Sequence, residues 1–375
     1  MNKYILSIDA GTTSSRAILF DKNAKAVEIA QYEFDQIFPK EGWVEHDALE
    51  ILNTQLRAIR DVINNSKIDP NNIDSVGITN QRETTVIWNK RTGKPVFNAI
   101  VWQDRRTASF CDDLIKNNKT KLIQNKTGLV IDAYFSGTKI KWILDSDPKI
   151  RSQANEGELL FGTIDTWLIW NLTNGQSHIT DPSNASRTLL YNIKKDCWDD
   201  ELLSLFDIPK NILPDVVDSS SISAHIDAKI FGAKIPISGI AGDQQAALFG
   251  QLCTAEGDIK NTYGTGCFCM MNTGKTFVKS NNKMLSTIAW RIDGELTYAL
   301  EGSVFVAGAL IQWLRDKLGI IKDASEVENL ANTVDNNGGI TFIPALSGLA
   351  APYWDPYAQG TIFGITRGTE NGHIA

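Results

Sequence analysis

A chain of 375 residues with 42% hydrophobic side chains is long enough to build more than one cored domain, which excludes a disordered or fibrous protein. Its 37 basic and 44 acidic residues give a net charge of −7, and both signs are scattered along the length, so no basic face is available for nucleic acid or an anionic membrane. The opening MNKYILSIDAGTTSSR breaks its apolar run at Asp9, too short for an export signal or a bilayer span, and the chain reads as cytoplasmic.

Strand patterns at 4–8, 75–79 and 85–88 alternate with longer helical ones, which predicts an α/β protein. The first strand runs into DAGTTSSR at 9–16. That turn gathers backbone N–H groups, hydroxyls and the Arg16 cation, a set suited to phosphate oxygens, although an ordinary hairpin with a polar turn has the same sequence. Asp9, beside the turn, suits a magnesium ion held through water. Residues 49–63 place apolar side chains at 49, 52, 56, 59 and 63, the spacing of an amphipathic helix, with Asp47 as its N-cap.

A dense polar group, NQRETT, fills 80–85 between two strands. Arg82 and Glu83 are each able to make two hydrogen bonds to the hydroxyls of a small polyol; a surface ion pair is the alternative. Trp102, after a strand pattern at 98–101, offers either a ring face to the C–H side of such a ligand or a place in the core. Helical patterns at 139–144 and 166–172 put Trp142, Trp167 and Trp170 at packing positions.

Further on, the strand pattern at 235–240 places Asp243 and Gln244 at the carboxyl end of a strand, before a helical run at 245–252. Open α/β sheets bind ligands at such edges, yet Asp243 reads equally as a helix N-cap. Gly239 and Gly242 leave room for backbone or ligand to come close. The first domain is assigned to 1–247 and the second to 248–375. Residues 259–267 (IKNTYGTGC) repeat the strand, Gly-Thr turn and strand of 6–14 (LSIDAGTTS). Two such hairpins, one opening each domain, predict related domains facing one another across a cleft. Neither TGKT at 273–276 nor Gly264-Thr265-Gly266 makes a nucleotide fingerprint, because Cys269 stands where each needs a glycine. The five cysteines contain no CxxC pair and the four histidines are dispersed, which points to reduced thiols and no zinc or iron site.

The stretches DAGTTSSRAILFD, GITNQRETT, NAIVWQDRRT, YFSGTKIKW, GIAGDQQAALFGQL, NTYGTGCF and ALEGSVFVAGALIQWLRD together resemble the FGGY carbohydrate kinases of the actin-like ATPase superfamily, and the resemblance covers residues 4–375. It implies two actin-like (ribonuclease H-like) α/β domains flanking a catalytic cleft, with phosphoryl transfer from ATP, aided by Mg2+, to a terminal hydroxyl of glycerol. A family kinase acting on another polyol or sugar, or an inactive fragment of such a kinase, is the alternative. The resemblance puts Arg82, Glu83, Tyr134, Asp243 and Gln244 on the glycerol hydroxyls and Trp102 and Phe268 against its carbons, with Asp243 also the general base. It puts Thr12, Thr13, Ser14, Arg16, Thr265, Gly308 and Gln312 on the nucleotide and Asp9 near the metal. A helical run at 304–318 sets Gly308 and Gln312 four residues apart on one face. A homo-oligomer is implied, without nucleic-acid or integral-membrane partners. Residues 229–235 lack the glycine-rich, Arg-ending loop that binds fructose 1,6-bisphosphate in some relatives, so that control is not expected. GTENGHIA at 368–375 resembles the middle of a family segment that continues into a helix. The second domain is therefore expected to be incomplete, lacking the adenine cradle and leaving apolar surface exposed.

Overall fold

Segments rich in branched and aromatic residues assemble into one ten-stranded mixed sheet in the computed structural model, which describes residues 3–375. In chain order these strands are β1 (Tyr4–Ala10), β2 (Ser14–Phe20), β3 (Ala26–Glu33), β4 (Ile73–Asn80), β5 (Ser220–Ile226), β6 (Ile235–Gly242), β7 (Ile259–Tyr263), β8 (Cys267–Gly274), β9 (Leu285–Ile292) and β10 (Glu295–Val304). Across the sheet they lie in the order β7-β8-β10-β9-β5-β6-β4-β1-β2-β3. β1 and β6 flank β4, all three parallel, and the register pairs Ala10 with Asn80 and Asn80 with Gly242. Three strands thus end level with one another, and the loops that follow them open on the same carboxyl edge.

The second half of the chain shares this sheet. β9 meets β5 through the single pair Ser220↔Ile292, reinforced by the Ser219 N–H donating to the Arg291 carbonyl at 2.8 Å. The two similar sequences both form antiparallel hairpins, β1–β2 and β7–β8. Their turns are closed by the Gly11 N–H donating to Ser14 O and the Gly264 N–H to Gly266 O, each at 2.9 Å.

Helix α1 (Ala48–Ser66) forms over the predicted span and buries Ile51, Ala58, Ile59 and Val62 against β2 and β3; of the expected stripe, Leu52, Ile59 and Ile63 are buried, Leu56 is half-buried and Leu49 is exposed. Asp47 caps it by accepting the Leu49 N–H at 2.8 Å. The remaining helices that bear on the site are α2 (Ser136–Ser146), α3 (Ile164–Leu172), α4 (Asp243–Gly250) and α5 (Gly308–Trp313). One core joins β1, β4 and α1 to α3, where Trp167 is fully buried and stacks on Trp170. Trp142 is half-buried, its ring meeting Trp43 and Phe97 edge-on. A second core takes Ile87, Trp102, Tyr134 and Phe135 from the first half and Phe268 and Phe305 from the second.

One expected helix boundary shifts. The helix expected from residue 304 begins at Gly308, because Val304 still pairs with Cys267 at the end of β10; it continues past α5 as a wider turn over Leu314–Leu318. The division expected after residue 247 falls inside α4. Exposed apolar side chains gather in the second half, among them Tyr263, Tyr353, Tyr357, Phe363 and Ile365.

The cap on α1 gives a measurable expectation. Asp47→Ala should cost about 1 kcal/mol in chemical denaturation, and an unchanged midpoint would show that the helix does not depend on it.

Candidate active site

The loops after β1, β4 and β6 are tied together where they leave the sheet. The Gln81 N–H donates to Ala10 O at 2.7 Å and its side-chain amide to Gly11 O at 3.0 Å. Glu83 follows with φ at 60°, a left-handed conformation that is strained for any residue with a side chain and recurs at functional sites. Its carbonyl accepts the hydroxyls of Ser136 at the start of α2 (3.0 Å) and of Thr85 (3.1 Å). Both Arg82 and Glu83 are buried, at 2% and 1% exposure, which rules out the surface ion pair.

Their charges are met inside the protein. The Arg82 fork grips Glu301 of β10 through Nη1 (2.5 Å) and Nη2 (3.1 Å). Arg187 donates from Nη2 to the same Glu301 at 2.9 Å and from Nε to Glu83 at 2.5 Å, and the Ser303 hydroxyl adds a bond to Glu301 at 2.8 Å. Burial alone would raise the Glu301 carboxyl, but the guanidiniums of Arg187 and Arg82 hold it down to about 2. Glu83 is shifted the other way: burial raises it, and Arg187 and Arg82 offset only part of that. Glu301 and Arg187 were not singled out in the sequence, although a lone carboxylate within the apolar strand YALEG was a visible signal.

Above this network lies a pocket of about 170 Å³ lined by Thr12, Arg82, Glu83, Trp102, Tyr134, Asp243, Gln244, Thr262, Gly264, Thr265, Gly266 and Phe268. All seven residues that the sequence assigned to a polyol converge on it. Trp102 takes the core place that is one of its two expected readings: its ring stands edge-on to Tyr134 and Phe268 in the second core, and its Nε1–H donates to the Thr12 hydroxyl at 3.0 Å. Asp243 is the first residue of α4, while Gly242 occupies the N-cap. Its Oδ1 accepts the Gln244 N–H at 2.7 Å and lies 3.4 Å from Arg82 Nε. The carboxylate keeps 38% of its side chain accessible, but desolvation at the pocket floor raises its pKa against the pull of Arg82. At Gly242 it is the Arg82 side chain that comes close, since a Cβ there would stand 2.7 Å from Arg82 Cγ and Cδ. Gly239 backs instead onto the Gly77 backbone.

The residues expected on the nucleotide are more dispersed. Thr12 and Thr265 line the pocket, whereas Thr13 is exposed at the first turn. Ser14 accepts from the Gln31 amide at 2.8 Å, and Arg16 donates to the same Gln31 at 3.1 Å while standing 3.9 Å from Asp9. Gln312 is exposed on α5. The close approach that Gly308 permits is taken by the second hairpin: its N–H donates to Gly264 O at 2.9 Å, and a Cβ would sit 2.7 Å from that oxygen.

The N-terminal domain of the FGGY family of carbohydrate kinases matches residues 4–250, and the C-terminal domain of that family matches residues 259–375. The chain belongs to this family. It is 59% identical to the glycerol kinase of Alkaliphilus oremlandii, an alignment covering 100% of this chain and 74% of that protein. With the glycerol kinase of Dichelobacter nodosus it shares 58% identity, over 100% of this chain and 76% of the other. Among solved structures, Plasmodium falciparum glycerol kinase with ADP superposes with a TM-score of 0.87 at 38% identity, covering 100% of this chain and 75% of that one. The gluconate kinase of Lactobacillus acidophilus, at 24% identity and a TM-score of 0.85, shares the fold.

In this FGGY chain Gly242 is required by packing against Arg82 rather than by ligand. Gly242→Ala should therefore destabilise the protein by about 1–3 kcal/mol through overcrowding. A denaturation midpoint equal to that of the parent would contradict the close approach.

Proposed function

We propose that this chain transfers the γ-phosphoryl group of ATP to a terminal hydroxyl of glycerol, giving glycerol 3-phosphate and ADP. The observation that carries the reading is the pocket itself, in which paired charges, an apolar wall and the accessible Asp243 carboxylate surround a space fit for a small polyol, with Thr12 and Thr265 of the two hairpin turns in its lining. Its kinship with glycerol kinases supports the same substrate.

In this reading Trp102 and Phe268 cover the carbon side of glycerol, and Arg82, Glu83, Tyr134 and Gln244 bond its hydroxyls. Asp243 accepts the proton of the attacking hydroxyl as the new O–P bond forms and the bond to the ADP oxygen breaks. Proton removal contributes modestly to such a loose transition state, so holding the hydroxyl in line contributes much of the rate. Backbone N–H groups and hydroxyls at Thr12, Thr13, Ser14 and Thr265, with Arg16, receive the phosphates, and Gly308 and Gln312 border the nucleotide. Asp9 suits magnesium: its side chain is 33% accessible beside a single cation, Arg16, and a carboxylate with water and phosphate oxygens is the donor set that this ion takes. When bound, the ion would neutralise charge on the transferred phosphate.

We place the reaction in the cytoplasm, where ATP is abundant; none of the five cysteines is paired, and no described helix is long and apolar enough to cross a membrane. We set the domain break in the stretch between the end of α4 at Gly250 and the start of β7 at Ile259, near the expected residue 247. A homo-oligomer remains the expected assembly.

The deciding experiment is ADP release from Mg-ATP with glycerol and with a panel of other polyols and sugars: release that depends on glycerol supports the reading, and preference for another acceptor overturns the substrate. Asp243→Asn should lower turnover by roughly 10²-fold or more while leaving glycerol affinity nearly intact; matched losses in both would remove the general-base role. Because burial raises the Asp243 pKa, and the ionised form is the active one, turnover should fall on the acid side at a pH above the ordinary aspartate value of about 4. An acid limb at the ordinary value would contradict that environment.

A further inference from the structure

Lys260, on β7, is 6% exposed, yet among the described residues no carboxylate stands within ion-pair distance of it. Its ammonium donates to two neutral oxygens, Gln244 Oε1 and Thr262 Oγ1, each at 2.6 Å. A buried cation bonded only to neutral groups costs free energy and persists where it serves a purpose. The charged and titratable groups around it are Arg82, Asp243, Glu301 and Cys269.

The purpose follows from the polarity of the bonds. Gln244 lies between Lys260 and Asp243, and its Nε2 donates to Asp243 Oδ2 at 3.3 Å. An ammonium can only donate and a carboxylate only accept, so a carboxamide between them has a single allowed orientation. Its oxygen must face Lys260, and its NH2 must face Asp243, with one N–H left over for a substrate hydroxyl. Without the ammonium, only the 3.3 Å bond to Asp243 would oppose a half-turn of the amide.

Resting on the glycerol reading of the pocket, we propose that Lys260 is a positioning residue of the polyol site, fixing Gln244 as a hydrogen-bond donor to glycerol and linking it to Thr262 on the second hairpin. Burial lowers the Lys260 pKa to about 8, the nearby Arg82 pushing the same way. Both partners therefore enforce the orientation at neutral pH; as pH rises and the ammonium becomes an amine, which can accept as well as donate, only the longer bond to Asp243 still holds it.

The test uses the whole chain and two readouts. In the unliganded protein the Gln244 side-chain amide resonances should move with a midpoint near pH 8, and Lys260→Met, which keeps the length of the stem, should abolish that movement. Calorimetry should show wild-type glycerol affinity weakening from about pH 7 to about pH 9.5. Lys260→Met should bind roughly tenfold or more weakly at neutral pH, as expected for one lost charge-assisted bond, and be flat across that range. Lys260→Gln, with a neutral donor, should recover part of the affinity without the pH dependence, and its thermal midpoint controls for folding. A Gln244 amide that ignores pH, or a Lys260→Met protein that binds glycerol as the parent does, overturns the proposal. If Gln244 titrates as stated but the parent binds no glycerol, the coupling of Lys260 to Gln244 stands and it is the glycerol reading that falls.

Discussion

Four buried charges fix the centre of this protein. Arg82 and Arg187 from the first half of the chain close on Glu301 from the second, and Arg187 returns to Glu83, with all four residues at 2% exposure or less. Removing one member of a buried ion pair typically costs about 3–5 kcal/mol, because its partner is left charged and dry, whereas an apolar replacement of the whole set is often no less stable. Stability alone therefore does not account for the network. What it supplies is position: the sheet joins its halves through one bridge pair, Ser220↔Ile292, while the Arg82 fork on Glu301 sets the two halves at a defined distance around the pocket.

The network also explains why the pocket is polar at its base. With both η nitrogens engaged by Glu301, Arg82 presents Nε between Asp243 and Glu83. Glu83 is held by Arg187 in a strained backbone conformation that two hydroxyls stabilise from below. The level ends of β1, β4 and β6 bring the first turn, this loop and Asp243 to one edge, and the β7–β8 hairpin brings Thr262 and Thr265 to the facing wall. Gly242 and Gly308 are small for the sake of these contacts, one admitting Arg82 and the other admitting the Gly264 carbonyl.

Much of this was legible in the sequence wherever a local pattern decides the outcome. The two Gly-Thr hairpins, the α1 helix with its Asp47 cap and the carboxylate at the end of β6 depend on residues a few positions apart, and each formed where its pattern lay, although the buried face of α1 is turned so that Leu49 is exposed. The polyol set was read from a family resemblance, and the fold brings all seven of its members to one pocket. Roles that depend on distant partners were not legible: Arg82 meets Glu301 across 219 positions and Arg187 meets Glu83 across 104. Lys260 was not singled out, because nothing nearby in the chain announces Gln244, 16 positions away, as its acceptor. The same reason hid the shared sheet, which hangs on one pair of residues, and the late start of α5, which the pairing of Val304 with Cys267 enforces.

The most direct test of a polyol site built on this buried network is a crystal structure of the chain grown without glycerol and then soaked with it. Glycerol should sit with its hydroxyls on Arg82, Glu83, Asp243 and Gln244 and its carbons against Trp102 and Phe268, with the Arg82 fork still closed on Glu301. Glycerol bound elsewhere, or an Arg82 that abandons Glu301 to reach the ligand, would contradict it.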